Sequence, residues 1–535
     1  MESSDDSIPD NWEDEAEEVT QEEAASWKKE ANYVFKTEAD TVFTQNAYSS
    51  LLNQEEQLLS HYSNKKDSTP KDHLPKKEPI IRPKAEEIIE KLDKKSLISS
   101  LIGRDYLSIP YKTHVNIVFI GHVDAGKSTL CGNIIYKSKK IDSRIVEMYE
   151  LEAKENNRES WWLAYIMDVN TEEREKGITI EVGRAFIETD HRVVCMLDAP
   201  GHKSFVPNMI SGAAQADIAA LVVSARPGEF ESGFQKGGQT TEHILLCRAM
   251  GVDSFIVLIT KMDTVNWDEE RFRFIQNSLM PFLIDKCKLN PQHVHWIPIS
   301  GLDGTNLLIN EECGWYKGKA FLQVLDECEV GGKDENAPLR IPILDKAKEM
   351  GTVVLGKVEA GIVVKGMKVN LMPGFCEAEV QEIMGVEDEK IMFARPGMNV
   401  RIKLKGSDEF KSGSVLCDPY DFPIVSETFT VDIMVLDLLP HKPLLIPGYV
   451  CIIHLGIAVS ECTFHSVISV SDPKTKKHVK ASYIRANMRA KAVLRVKEPM
   501  CISVFSELSA LGKFALRDED ITIGLGKILE VKDIL

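Results

Sequence analysis

The stretch "NIVFIGHVDAGKSTL", residues 116–130, constrains this chain more than any other feature. A short apolar run that reads as a buried strand leads directly into Gly121, and Gly126-Lys127-Ser128 follows five residues later. Glycines at these two positions let backbone N–H groups turn inward onto phosphate oxygens. Lys127 can neutralise β and γ phosphates, and the Ser128 hydroxyl can ligate Mg²⁺. A loop of this kind needs a strand before it, a helix after it and a parallel sheet to hold both. Gly121, His122, Val123, Asp124, Ala125, Gly126, Lys127, Ser128 and Thr129 are therefore the candidate phosphate-binding residues.

Further apolar runs extend the pattern: "RVVCML", "IAALVVSA", "FIVLIT" and "VHWIPIS" alternate with longer helical stretches up to about residue 333. Strands alternating with helices argue for an α/β domain whose sheet is mostly parallel, with helices on both faces. Three of these runs end in chemistry. "MLDAPGH" places Asp198 to reach Mg²⁺ through water, Gly201 to sense a γ phosphate through its N–H, and His202 to orient an attacking water. "ITKMD" offers Asp263, whose carboxylate accepts from guanine N1–H and N2–H₂, and Lys261, whose stem can lie along the base. Ser300, Gly301 and Leu302 would turn backbone N–H groups toward guanine O6. Between the first two motifs, "DVNTEEREKGITIEVG" supplies Thr179, whose hydroxyl and carbonyl would close over Mg²⁺ and the γ phosphate in the triphosphate state. In isolation, the charged run before Thr179 is an ordinary solvated face. Four elements in this order, each at a strand end, identify a GTPase with GTP or GDP as ligand and Mg²⁺ as its ion.

After "GGKDENAPLRIPI" the texture changes to short strands separated by glycine turns. In "NVRIKLKG", Val400, Ile402 and Leu404 alternate with Arg401, Lys403 and Lys405, the period of a strand with one buried face. Two β-barrel domains are expected, giving a division of residues 1–113 (tail), 114–335 (GTPase domain), 336–423 and 424–535 (barrels). The tail is acidic at first and rich in Lys and Pro later, and most of it is expected to be disordered. Two pieces of it have helical patterning, residues 50–62 and 84–102; the second is expected to be peripheral, or else to dock a partner. With 43% hydrophobic residues the chain can build sizeable cores, while its net charge of −18 argues against binding nucleic acid through bulk positive charge. Eleven scattered cysteines with no CxxC suit reduced thiols in a cytoplasmic protein, and neither a signal peptide nor a spanning segment is expected.

The segments "GHVDAGKSTL", "EREKGITIEVG", "DAPGHKSFVPNMI" and "GEFESGFQKGGQT", followed by two β domains, resemble the translational GTPases of the elongation factor 1-alpha group. Within that group "AKENNRESWWLAYIMDVNTEEREKG", "RIPILDKAKEMGTVVLGKVEAG", "SGSVLCDP" and "GKFALRDED" are most similar to the GTP-binding subunits of the eukaryotic peptide chain release factor. The ribosome-rescue GTPases that partner Pelota are the alternative. The resemblance covers residues 110–535 and implies a factor that delivers the class-1 release factor to the ribosome and hydrolyses GTP to promote peptide release. It also implies that Val123 and Ile178 form an apolar gate beside the catalytic His202, and that the last domain, including Gly512 to Asp518, grips the class-1 factor. Related tails bind poly(A)-binding protein, but this tail has no clear copy of the short motif used for that. Three positions depart from the family pattern. Thr260 stands where an asparagine usually ties the base loop to the phosphate loop, Thr241 replaces an arginine, and Lys513 replaces another. A threonine hydroxyl can replace only part of an amide's bonding, so looser nucleotide binding with preserved specificity is expected.

Overall fold

A computed structural model describes residues 94–102 and 111–531, apart from 169–172, 175–177, 236–237, 311–313, 332, 349–351, 386–387, 407–409, 472–477 and 520. The acidic block and the candidate helix at 50–62 lie outside the described residues.

The first domain is built on a six-stranded sheet. Strands β1 (Thr113–Ile120), β2 (Gly183–Glu188), β3 (Arg192–Asp198), β4 (Ile218–Ser224), β5 (Ser254–Thr260) and β6 (Val294–Pro298) take the order β2-β3-β1-β4-β5-β6. All neighbouring pairs are parallel except β2–β3. The five expected strands are present. The sixth, β2, is a half-buried antiparallel edge strand whose sequence "GRAFIE" holds only the three apolar residues Ala185 to Ile187 between charged ones, too short a run for periodicity to reveal it.

Both faces of the sheet are covered, which is why its central strands read as continuous apolar runs. On one face Val118, Ile120, Leu197, Ala219, Leu221 and Val257 pack against Met209 and Ile210 of a helix over Val206–Gln215. They also meet Ile244 and Cys247 of a helix over Gln239–Met250. On the other face Ile117, Phe119, Met196, Ala220, Ile256 and Leu258 meet Leu130 and Ile134 from the helix Lys127–Lys137, and Phe321 and Leu325 near the domain's end. In chain order these and the remaining described helices are α1 (Lys94–Ile102), α2 (Lys127–Lys137), α3 (Ser143–Glu155), α4 (Trp162–Tyr165), α5 (Val206–Gln215), α6 (Glu229–Phe234), α7 (Gln239–Met250), α8 (Glu269–Pro281) and α9 (Phe321–Glu327).

Two closed barrels follow. In the first, β7 (Arg340–Lys348), β8 (Thr352–Lys357), β10 (Lys368–Met372), β11 (Cys376–Met384), β14 (Asn399–Gly406) and β15 (Val415–Cys417) run β10-β15-β7-β8-β14-β11, and β10–β11 pairing closes the ring; β9 (Val363–Val364), β12 (Lys390–Ile391) and β13 (Phe393–Ala394) are short additions. Val400, Ile402 and Leu404 point into its core, as their alternation predicts. In the second, β16 (Ile424–Val435), β17 (Val450–Leu455), β18 (Ala458–Ser471), β20 (Arg489–Ile502), β21 (Lys513–Asp518) and β22 (Ile521–Val531) close through β17–β18, and the short β19 (His478–Val479) pairs with β18. Closure removes the exposed edges that such short strands would otherwise present.

Charge joins the first domain to the first barrel. Asp217, just before β4, accepts from Lys333 Nζ at 2.9 Å, Lys357 Nζ of β8 at 3.0 Å and Asn116 N at 2.9 Å. Asp217 and both lysines are largely buried, and the lysines hold the aspartate well below the usual carboxylate range. Helix α1 packs on the same barrel: Ile98 is fully buried against Ile362 and Val364. Lys95 Nζ donates to Asn336 Oδ1 at 2.9 Å. This part of the expected 84–102 helix is therefore docked within the chain, because Ile98 finds an apolar patch on its own barrel.

Candidate functional site

The candidate residues converge at the carboxyl ends of β1, β3, β5 and β6. Gly121 has φ 147°, and a Cβ there would come within 2.2 Å of the Val222 carbonyl oxygen, so only glycine fits this turn. Gly126 has φ 92° and starts α2 with no side-chain cap. The first-turn N–H groups of α2 are thus free of side-chain acceptors, the arrangement that suits an anion. Lys127 is buried, and its Nζ donates to the carbonyls of Gly121 (3.2 Å) and His122 (2.9 Å). Burial lowers its pKa, while Asp198 and Asp124 oppose that shift. Gly201 lies tight against this loop: a Cβ would reach 2.7 Å from Lys127 Nζ and 3.1 Å from Val123 N.

Asp198, the last residue of β3, is fully buried, and neither carboxylate oxygen has a hydrogen-bond partner among the described residues. Burial pushes its pKa up to about 6, against the pull of Lys127 and the nearby Ser128 hydroxyl. Ser128 Oγ and Thr179 Oγ1 lie 3.1 Å apart. An unsatisfied buried carboxylate beside two converging hydroxyls is a donor set of oxygens, which fits Mg²⁺ rather than a softer metal.

The base loop is anchored from below. Thr260 is 1% exposed, and its Oγ1 donates to Ala125 O (2.8 Å) in the phosphate loop, with Val223 O at 3.2 Å as an alternative acceptor. The hydroxyl therefore keeps the tie between base loop and phosphate loop that the sequence left in doubt. Lys261 has φ 58°, and its Nζ pairs with Glu229 Oε2 at 2.7 Å. Asp263 follows, half-buried, in a single 3₁₀ turn. Asn133 of α2 donates to the carbonyls of Gly301 (2.8 Å) and Leu302 (2.7 Å), holding that loop beside the same helix. Ser300 Oγ bonds Asp303 at 3.0 Å, and Leu302 stays exposed.

His202 is exposed, begins a 3₁₀ turn and accepts from Ser204 N through Nδ1 at 3.3 Å, which in the neutral ring leaves the proton on Nε2. Val123 and Ile178 are both half-buried. Ile178 precedes Thr179, and Val123 packs against Gly201, the residue before His202.

Sequence reasoning missed His243 of α7. It is fully buried, and its Nδ1 accepts from the Gly121 N–H at 3.4 Å, bracing the phosphate loop from behind. Burial and Lys127 lower its pKa to about 3, so the ring is neutral. It also missed Asn133 and Glu229, since nothing in a single sequence marks an amide or a carboxylate that acts across the fold.

Residues 112–331 match the Elongation factor Tu GTP binding domain family, and residues 428–529 match the GTP-eEF1A C-terminal domain-like family. A Kluyveromyces lactis protein named eukaryotic peptide chain release factor GTP-binding subunit is 42% identical over 432 residues, covering 78% of this chain and 61% of that protein. The solved structure of sup35 complexed with GDP is 34% identical and covers 80% of this chain and 96% of that one, at a TM-score of 0.37. The chain belongs to the family of eukaryotic peptide chain release factor GTP-binding subunits. It spans about 61% of the length of such a curated relative. The S. cerevisiae Ski7 GTPase-like domain bound to GTP shares the fold at a TM-score of 0.67, with 16% identity over 81% of this chain and 99% of that one.

Against the release factor subunits, the departures now have local explanations. Thr241 Oγ1 donates to Gly238 O at 2.7 Å, bonding within the first turn of its own helix. Lys513 sits where a Cβ on Gly251 would meet its Nζ at 2.8 Å, at the carbonyl end of α7, and burial with the nearby Arg248 and Lys527 lowers its pKa to about 8. In the segment Gly512 to Asp518, Lys513 is half-buried, while Phe514, Ala515, Leu516, Arg517 and Asp518 are buried in β21, and Ala515 joins the core of the first domain. Thr522 beside them donates to Glu242 of α7 at 2.9 Å. The segment thus forms both a barrel wall and part of the seam with the first domain.

Proposed function

We propose that this chain is a translational GTPase of termination, which binds GTP, brings the class-1 release factor to the ribosome and hydrolyses GTP to promote peptide release. Kinship with the release factor GTP-binding subunits supports the partner and the process. The observation that carries the chemistry is the meeting of Ser128, Thr179 and unpartnered Asp198 beside Lys127.

In this scheme the phosphate loop, Gly121 to Thr129, cradles the phosphates with its N–H groups, and Lys127 leaves the two loop carbonyls to meet the β and γ oxygens. Ser128 and Thr179 would hold Mg²⁺ directly and Asp198 through water, and the ion would neutralise phosphate charge. Gly201 donates its N–H toward the γ phosphate. His202, emerging between Val123 and Ile178, orients the attacking water. Asp263 and Lys261 select guanine, with Thr260 anchoring their loop and the backbone of Ser300 to Leu302 meeting O6. The domain limits proposed are 114–335, 336–423 and 424–535.

Copurification with the full chain and with residues 110–535 tests the partner. Recovery of the class-1 release factor is expected, and recovery of Pelota without it would overturn the termination role. Turnover of GTP with ribosomes and class-1 factor tests the enzyme; no turnover would leave only a nucleotide-dependent binding module.

A further inference from the structure

The loop that carries Thr179 has a buried anchor. Glu173 lies in the charged run "TEEREK", which by sequence is a solvated face, yet it is 1% exposed. Its Oε1 accepts from the N–H groups of Ile180 (2.8 Å) and Glu181 (3.0 Å). Its own carbonyl accepts from the Ile178 N–H at 3.3 Å. These three bonds bracket Thr179 on both sides. The neighbouring Arg174 instead pairs with Glu152 of α3 at 3.0 Å and lies over the Tyr149 ring. From outside the loop, Asn208 of α5 donates to Ile180 O at 2.8 Å.

Burying a carboxyl group is unfavourable unless its bonds compensate, and here two backbone N–H donors converge on one of its oxygens. The arrangement flanks Thr179, whose hydroxyl lies 3.1 Å from Ser128 Oγ.

We propose that Glu173 is a positioning residue that holds residues 178–181 closed, so that Thr179 is presented to the γ phosphate and its ion. The inference rests on the GTPase assignment above. With GDP there is no γ phosphate for Thr179 to reach, so the clamp affects the triphosphate state alone.

The test is the affinity of the full chain for a fluorescent, slowly hydrolysed GTP analogue and for fluorescent GDP, in three variants. Glu173→Ala should weaken the GTP analogue about tenfold or more, the order expected for losing bonds to a charged acceptor, and leave GDP binding unchanged. Glu173→Gln keeps an acceptor oxygen at the same reach and should retain most of the preference. Glu173→Asp keeps the charge but is one methylene short, and should lose it. Equal loss of GTP and GDP binding, or no change in either, overturns the clamp. If Glu173→Ala does not fold, the Gln and Asp variants decide: equal behaviour of the two overturns it. Failure of the unmodified chain to bind GTP would instead reject the GTPase assignment itself.

Discussion

Replacing Thr260 by valine removes one hydroxyl and nearly preserves shape, so it isolates the bond between base loop and phosphate loop. Thr260 is 1% exposed, and its Oγ1 lies 2.8 Å from Ala125 O, so no solvent can take the hydroxyl's place. Losing a buried bond and leaving its acceptor without this donor costs about 1–3 kcal/mol. Expressed wholly in nucleotide retention, that is roughly 5- to 150-fold. GDP release, followed by stopped-flow fluorescence, should accelerate within that range, with the preference for guanine intact because Asp263 is untouched. Thermal unfolding without nucleotide separates the two places where the cost can fall. Unchanged release with a lowered midpoint would reduce Thr260 to a core bond, and no change in either would refute the tie altogether.

The other predictions probe separate parts of the molecule. His202→Ala should keep GTP binding and lose ribosome-stimulated turnover, and unchanged turnover would remove His202 from the mechanism. Asp263→Asn should move base preference from guanine toward xanthine in competition binding, because xanthine O2 is an acceptor matched to the amide; equal GTP affinity would contradict the base assignment. Burial raises Asp198 to about 6, so Mg²⁺-nucleotide binding, which needs it ionised, should weaken below about pH 6. Binding isotherms at pH 5, 6, 7 and 8 would check the sign. Asp217→Ala should lower the thermal midpoint strongly, by about 3–5 kcal/mol of stability, since it removes the buried counter-charge that Lys333 and Lys357 share and leaves Lys357 to Glu359.

What the sequence determined by itself was whatever depends on local order. Five apolar runs set the parallel strands, and the alternation of Val400, Ile402 and Leu404 with cations set a barrel wall. The spacing of Gly121, Gly126, Lys127 and Ser128 named a phosphate loop, because such a loop is built from consecutive residues. Tertiary structure decided everything that acts between distant segments. The edge strand β2, with its unremarkable composition, exists because β3 offers it a partner. His243, Asn133 and Glu229 gained roles only when helices brought them to loops more than thirty positions away in the chain. Phe514 to Asp518 are buried at a seam with the first domain, since a strand's neighbours, not its letters, decide which faces meet solvent. Thr260 is the clearest case. Its sequence showed a lost amide, and the fold set its hydroxyl 2.8 Å from the phosphate loop, because the end of β5 and the start of α2 meet at one edge of the sheet.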